Sequence, residues 1–175
     1  MRLLRLIATL AALANACVHG TPEQLTRERE AAEVQAAAFT AFLHGAGRAD
    51  VQPVVNCLGL TRSQDGEPSI LRQEMVDAAP SVLNLLASVR QFVAPLSTCR
   101  HPPLKVEDAI VESAYEIAIE SIERPSPDSA IVNVGIVPVH LSGPFGIAYG
   151  QGYRIELKRV DGQWQEKSRS DSWAT

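Results

Sequence analysis

Aromatic residues, cysteine and positive charge are all scarce in these 175 residues, and each shortage narrows what the chain can do. Phe, Trp and Tyr make up 5% of it, and 16 Lys and Arg face 20 Asp and Glu, a formal charge of −4. No basic stripe with interleaved aromatics is visible, which argues against nucleic acid as a partner. The four histidines, at 19, 44, 101 and 140, are scattered and lack metal-ligand spacing to Cys, Asp or Glu. No Gly-rich loop leads from a strand into a helix, so no phosphate cradle is expected. Ser126, Ser129 and Ser142 have no nucleophile elbow around them. A hydrophobic content of 46% reflects Ala in the first forty residues rather than a membrane domain.

What is present begins with Arg2 and Arg5, an apolar run from Leu6 to Leu13 and the small residues Ala14-Asn15-Ala16 before Cys17. This is the pattern of an export signal, and the run is too short to span a bilayer. Two processing routes fit it: cleavage after Ala16, or lipid attachment at Cys17. Leu13-Ala14-Asn15-Ala16-Cys17 resembles the lipobox of bacterial lipoproteins, although such boxes usually carry Leu three places before the Cys, where this chain has Ala14. An uncleaved anchor or a misread core segment is the third reading. Cys17 aside, Cys57 and Cys99 form an even pair, expected as a disulfide in an oxidising compartment. Two unrelated buried thiols are the alternative.

The resulting division is a signal over 1–16, a short tether over 17–22 and one domain over 23–175, long enough for a single core. Without Arg2 and Arg5 the remainder carries about −6, from 14 basic and 20 acidic residues. Thr21-Pro22-Glu23-Gln24 opens a helix, with Thr21 as cap, Pro22 at the first position and Gln24 reaching back. It is expected to run to about His44, burying Val34, Ala38, Ala41 and Phe42 along one face. Val51 to Leu60 reads as a short strand that Pro53 places near an edge. Ser69 caps a second helix holding Leu71 and Met75, and Pro80 breaks or restarts it. Ser81 caps a third, with Val82, Leu85, Leu86 and Val89 at helical spacing, ending near Phe92 to Pro95.

Val106 to Ser113 reads as either a helical turn or an early strand, with strand from Ile110 preferred. Tyr115, Ile117 and Ile119 alternate with Glu116, Ala118 and Glu120 in a strand, and Ala130 to Leu141, apolar on both faces, suits a central one. A third strand follows, with Ile147, Tyr149, Tyr153, Ile155 and Leu157 on one face, and the glycines from Gly143 to Gly152 serve a bend of the sheet. Asp161-Gly162 is a two-residue hairpin signal. It pairs Arg159 with Trp164 and Leu157 with Glu166, and continuing the register sets Ser168 against Ile155 and Ser170 against Tyr153. A bulge would reverse these assignments.

Helix, short strand, more helix, then a meander ending in Asp161, Gly162 and Trp164 resembles the NTF2-like and cystatin-like α+β folds. The resemblance implies a long N-terminal helix packed on a curved antiparallel sheet of about four strands, with one or two further short helices. Val55-Asn56-Cys57-Leu58, the Pro68-Ser69 helix start and Ser97-Thr98-Cys99 also resemble small uncharacterised exported bacterial proteins, which implies a compartment and no activity or cofactor. Tyr149, Tyr153, Ile155, Leu157, Trp164 and Glu166 form the expected pocket, lining the concavity. The leading reading is an exported, lipid-anchored, non-enzymatic module on the periplasmic side of a membrane. It would bind a protein partner or a small apolar ligand; its oligomeric state is open. One alternative is a small NTF2-like enzyme with Glu166 as general base. The other is a subunit of a transport or secretion assembly.

Overall fold

The computed structural model describes residues 21–45, 54–62, 74–87, 92–99, 105–106, 109–110, 113–140 and 150–174. The chain divides into two units, Met1–Ala31 and Ala32–Thr175, with the boundary inside helix α1 (Pro22–Gly45). In the first unit Thr21 and Gln24 exchange the expected capping bonds. The Thr21 amide donates to Gln24 Oε1 at 2.8 Å, and the Gln24 amide to Thr21 Oγ1 at 3.3 Å. Two of the donors that a helix start leaves unpaired are thereby satisfied. Arg27, Glu28 and Arg29 are exposed, as their charge requires.

In the second unit the rest of α1 turns apolar, and Ala32, Val34, Ala36, Ala38, Phe39, Ala41, Phe42 and Leu43 are all buried. Their partners come from a mixed seven-stranded sheet, not closed into a barrel, with strand order β2-β1-β6-β7-β8-β9 and β3 also paired to β1. The strands are β1 (Val54–Arg62), β2 (Glu74–Asp77), β3 (Phe92–Pro95), β6 (Ser113–Ser126), β7 (Ser129–His140), β8 (Gln151–Val160) and β9 (Gln163–Ala174). β4 (Lys105–Val106) and β5 (Ala109–Ile110) form a separate antiparallel pair. Helix α2 (Pro80–Leu85) and the single turn α3 (Leu96–Cys99) lie between β2 and β6 in the chain. β1 runs parallel to β6 and to β3, and antiparallel to β2. β2 and β3 therefore share one side of β1, end to end.

Strand alternation sends each row to one face. Leu58, Ile117, Ile119, Val132, Val134, Ile136, Ile155 and Leu157 point to an inner face and share one packed cluster with α1 and with Val82 and Leu86. Val55, Cys57 and Ala114 point the other way, into a second cluster with Leu96 and Cys99. Cys57 and Cys99 are bonded at their centre, Cα atoms 6.0 Å apart. β7, between β6 and β8, is the central strand its two apolar faces implied.

Several expectations need correction. The sheet has seven strands rather than about four, and two of its pairings are parallel. The helix is buried only from Ala32 onward, since residues 21–29 are exposed. β1 is flanked on both sides, so it is not an edge strand; Pro53 itself lies outside the described residues. Met75 belongs to strand β2 and Phe92–Pro95 to strand β3, where helix was expected. Both are four-residue segments whose conformation is set by pairing with β1, which no local pattern announces. Ala79, not Ser81, is the N-cap of α2, because Pro80 occupies the first helical turn. Among the described residues no helix is long and apolar enough to cross a membrane.

Candidate functional site

The hairpin at Asp161-Gly162 positions the expected pocket residues. Both turn residues take positive φ, 51° and 80°, as a two-residue hairpin loop demands. Arg159 pairs with Trp164 and Leu157 with Glu166, as expected, but the register then shifts: Glu156 faces Ser168, Ile155 faces Arg169 and Tyr153 faces Asp171. A bulge at Lys167 thus reverses the sides of the following residues. Ser168 and Ser170 leave the inner face, and Arg169 takes their place.

That exchange changes what the inner face presents. Arg169 donates to both carboxylate oxygens of Glu166, Nε to Oε1 at 3.0 Å and Nη2 to Oε2 at 2.9 Å. Its Nη2 also donates to the Ala41 carbonyl near the end of α1. Glu166 is an exposed rim carboxylate held in a fork. Ile155 and Leu157 are 0% and 1% exposed, so they fill the core rather than line a cavity. Tyr153 meets Phe42 edge to face, ring centroids 5.3 Å apart. Two guanidinium groups lie over the Trp164 ring, Arg124 at 5.1 Å and Arg159 at 5.6 Å from its centroid, and Arg159 pairs with Glu33 at 3.4 Å. The structure therefore brings Tyr153, Ile155, Leu157 and Trp164 to one face with Glu166 at its rim. Tyr149 and Cys17 lie outside the described residues.

A depression of about 360 Å³ opens elsewhere, where the β6–β7 turn meets β8 and β9. Pro125 and Ile131 supply its apolar side chains, since those of Ala130 and Leu157 are buried in the core, and its rim carries Asp128, Lys158, Lys167 and Glu156 with the hydroxyls of Ser126 and Ser129. The two hydroxyls bond each other at 2.8 Å, and Lys167 reaches Glu156 at 3.5 Å. The Ser168 hydroxyl bonded to Glu156 holds its carboxyl below the usual carboxylate range, helped by the charge and hydrogen bond of Lys167. No lining residue is His or Cys. Apolar side chains within a rim of mixed charge are the features of a small-ligand site. The bulge at Lys167 that emptied the expected pocket also places that side chain here, and no local pattern marks it.

The sheet face away from the main core carries a transverse row that sequence reasoning also missed. Gly59, Ala118, Gly135, Gly152 and Trp173 are successive partners across five strands. A Cβ built on Gly59 would lie 2.8 Å from Leu96 Cδ2, and one on Gly152 would lie 2.1 Å from Trp173 Nε1. Leu96 and Trp173 therefore occupy the two ends of the row. The indole extends over Gly135 and Gly150 as well, and donates from Nε1 to Glu120 at 3.2 Å. Gly150 and Gly152 thus serve as the floor under a ring, and the register of β8 on β9 shifts at Gly152. No family model, curated protein or solved structure matches the chain.

Proposed function

We propose that the chain is an exported, lipid-anchored, non-enzymatic binding module, and that it binds through the depression beside the β6–β7 turn. The observation that carries this reading is the pairing of two apolar side chains, Pro125 and Ile131, with a polar rim in a space of about 360 Å³. That volume accommodates a small apolar ligand or one apolar side chain of a protein partner. The inner face of β6 to β8 contributes to the core with Phe39 and Phe42, which favours binding outside the concavity. The exposed, Arg169-held Glu166 favours binding over acid/base catalysis. The roll of the NTF2-like and cystatin-like folds is our reading of the architecture, supported by the burial of Ala32 to Leu43 in one cluster with strands β6 to β8.

The test is a titration of the full chain with benzoate and with phenethylamine, small apolar probes of opposite charge, followed by amide chemical shifts. We expect saturable shifts at Ser129, Ile131, Glu156 and Lys167 with one of them, abolished by Ile131→Trp. Shifts confined to Tyr153, Trp164 and Glu166 would return binding to the concavity. Silence with both probes would overturn the assignment of this depression as a small-ligand site.

A further inference from the structure

Cys57 and Cys99 join elements of unequal attachment. Cys57 sits in β1, paired to β6 from Val54 to Leu60, and β6 in turn pairs with β7 over most of its length. Cys99 ends the segment β3–α3, which pairs with β1 through only four residues, Phe92 to Pro95, in parallel register. Phe92 is exposed and Val93, Ala94 and Pro95 are half-buried. Besides the disulfide and apolar packing, polar and close contacts hold this segment among the described residues. Leu96 sits over Gly59, Asp77 accepts from the Ser97 amide at 2.6 Å and from its hydroxyl at 2.8 Å, and Asn56 donates to the Phe92 carbonyl at 3.4 Å. The cluster around the bond holds Val55, Cys57, Leu96, Cys99 and Ala114 and is distinct from the main core, which this segment touches through half-buried Val93. A small satellite core on a short parallel edge is a unit that can open without the remainder.

We propose that the Cys57–Cys99 disulfide is a redox-controlled latch on this edge of the sheet. When a dithiol cleaves it, Phe92–Cys99 leaves β1 and the Val55–Leu58 edge is left unpaired, while α1 from Ala32 and strands β6 to β9 stay folded. One thiolate of the dithiol attacks a sulfur of the bond and forms a mixed disulfide. Its second thiol then displaces the remaining protein sulfur. Two electrons pass to the protein, which gains two thiols, and the dithiol leaves as a cyclic disulfide. The two sulfur-bearing residues are 0% and 3% exposed, so attack waits for the segment to lift. Reduction is therefore gated by the same opening that it then makes permanent. The proposal is independent of the ligand assigned above.

Hydrogen exchange on the full chain, oxidised and after dithiothreitol, tests the latch. Amides of Val93, Ala94 and Leu96 to Cys99 should exchange about 100-fold faster or more once the bond is cut. Amides of Ile117, Val132, Val134 and Ile155 should keep their protection. Cys57→Ala combined with Cys99→Ala should reproduce the reduced pattern without any reductant. Asp77→Asn, which weakens the hold on Ser97 and leaves the sulfurs untouched, should speed reduction several-fold. Uniform loss of protection across the sheet would overturn the proposal, as would unchanged exchange at 93–99. So would reduction of the native protein as fast as that of an exposed peptide disulfide.

Discussion

Gly152 illustrates how much one hydrogen in place of a methyl can decide. The Trp173 indole lies where a Cβ at 152 would be, and Gly135 and Gly150 extend the same floor. Gly152→Ala should cost about 1 to 3 kcal/mol by forcing the ring out, an overpacking loss readable by urea denaturation. In a Trp173→Ala background the same change should cost almost nothing, because the clash is gone. Equal costs in both backgrounds would show that the glycine is needed for its backbone instead. Glu156 provides a second residue-level prediction. Its carboxyl is held below the usual range by Ser168 first and Lys167 second, so the ionised form is favoured by folding. That contribution is present above the ordinary carboxylate value and is lost as pH falls through the folded one. Glu156→Gln should remove that contribution at pH 7 and change little below the folded value, so the loss of stability on acidification flattens. A parallel acid profile for wild type and variant would count against it.

At the scale of elements, the last hairpin was readable in its turn and not in its continuation. Asp161-Gly162 fixed the first two pairings because positive φ at both positions admits few loops, and Gly there removes the side-chain clash. Beyond Glu166 the bulge at Lys167 set a different register, since one additional residue in β9 satisfies the ladder equally well locally. What selects it is tertiary: Arg169 on the inner face meets Ala41 of α1 and Glu166 together. A cation against the C-terminal end of a helix is favourable, and a forked pair with a carboxylate adds direction. Arg169→Met should cost about 1 to 3 kcal/mol, and faster amide exchange at Leu43 to Gly45 should accompany it. Undisturbed exchange there would mean that β9 does not anchor the helix end.

For the whole molecule, compartment and covalent closure go together. The Cys57–Cys99 bond closes a separation of 42 residues and on chain-entropy grounds contributes about 4 kcal/mol. A pair of this kind fits the export reading of residues 1–17, which lie outside the described part of the chain. Labelled palmitate should follow the wild-type protein in a lipoprotein-processing cell and be absent from Cys17→Ser. Equal labelling of both, or of neither, would remove the lipid anchor from the proposal.

Residue pattern alone determined the capped start of α1, the meander of β6 to β9, the central place of β7, the disulfide and the turn at Asp161-Gly162. Each of these rests on interactions between neighbours in the chain or on period-two burial, except the disulfide, which rests on counting. Only tertiary structure decided that β2 and β3 are strands, that β1 is interior, and that Trp173 caps a row of small residues. It also decided that Glu166 faces water beside Arg169 while Lys167 turns to the depression. The physical reason is common to all of them. A four-residue segment or a single bulge has too little local preference to choose its own state, so partners distant in the chain choose it.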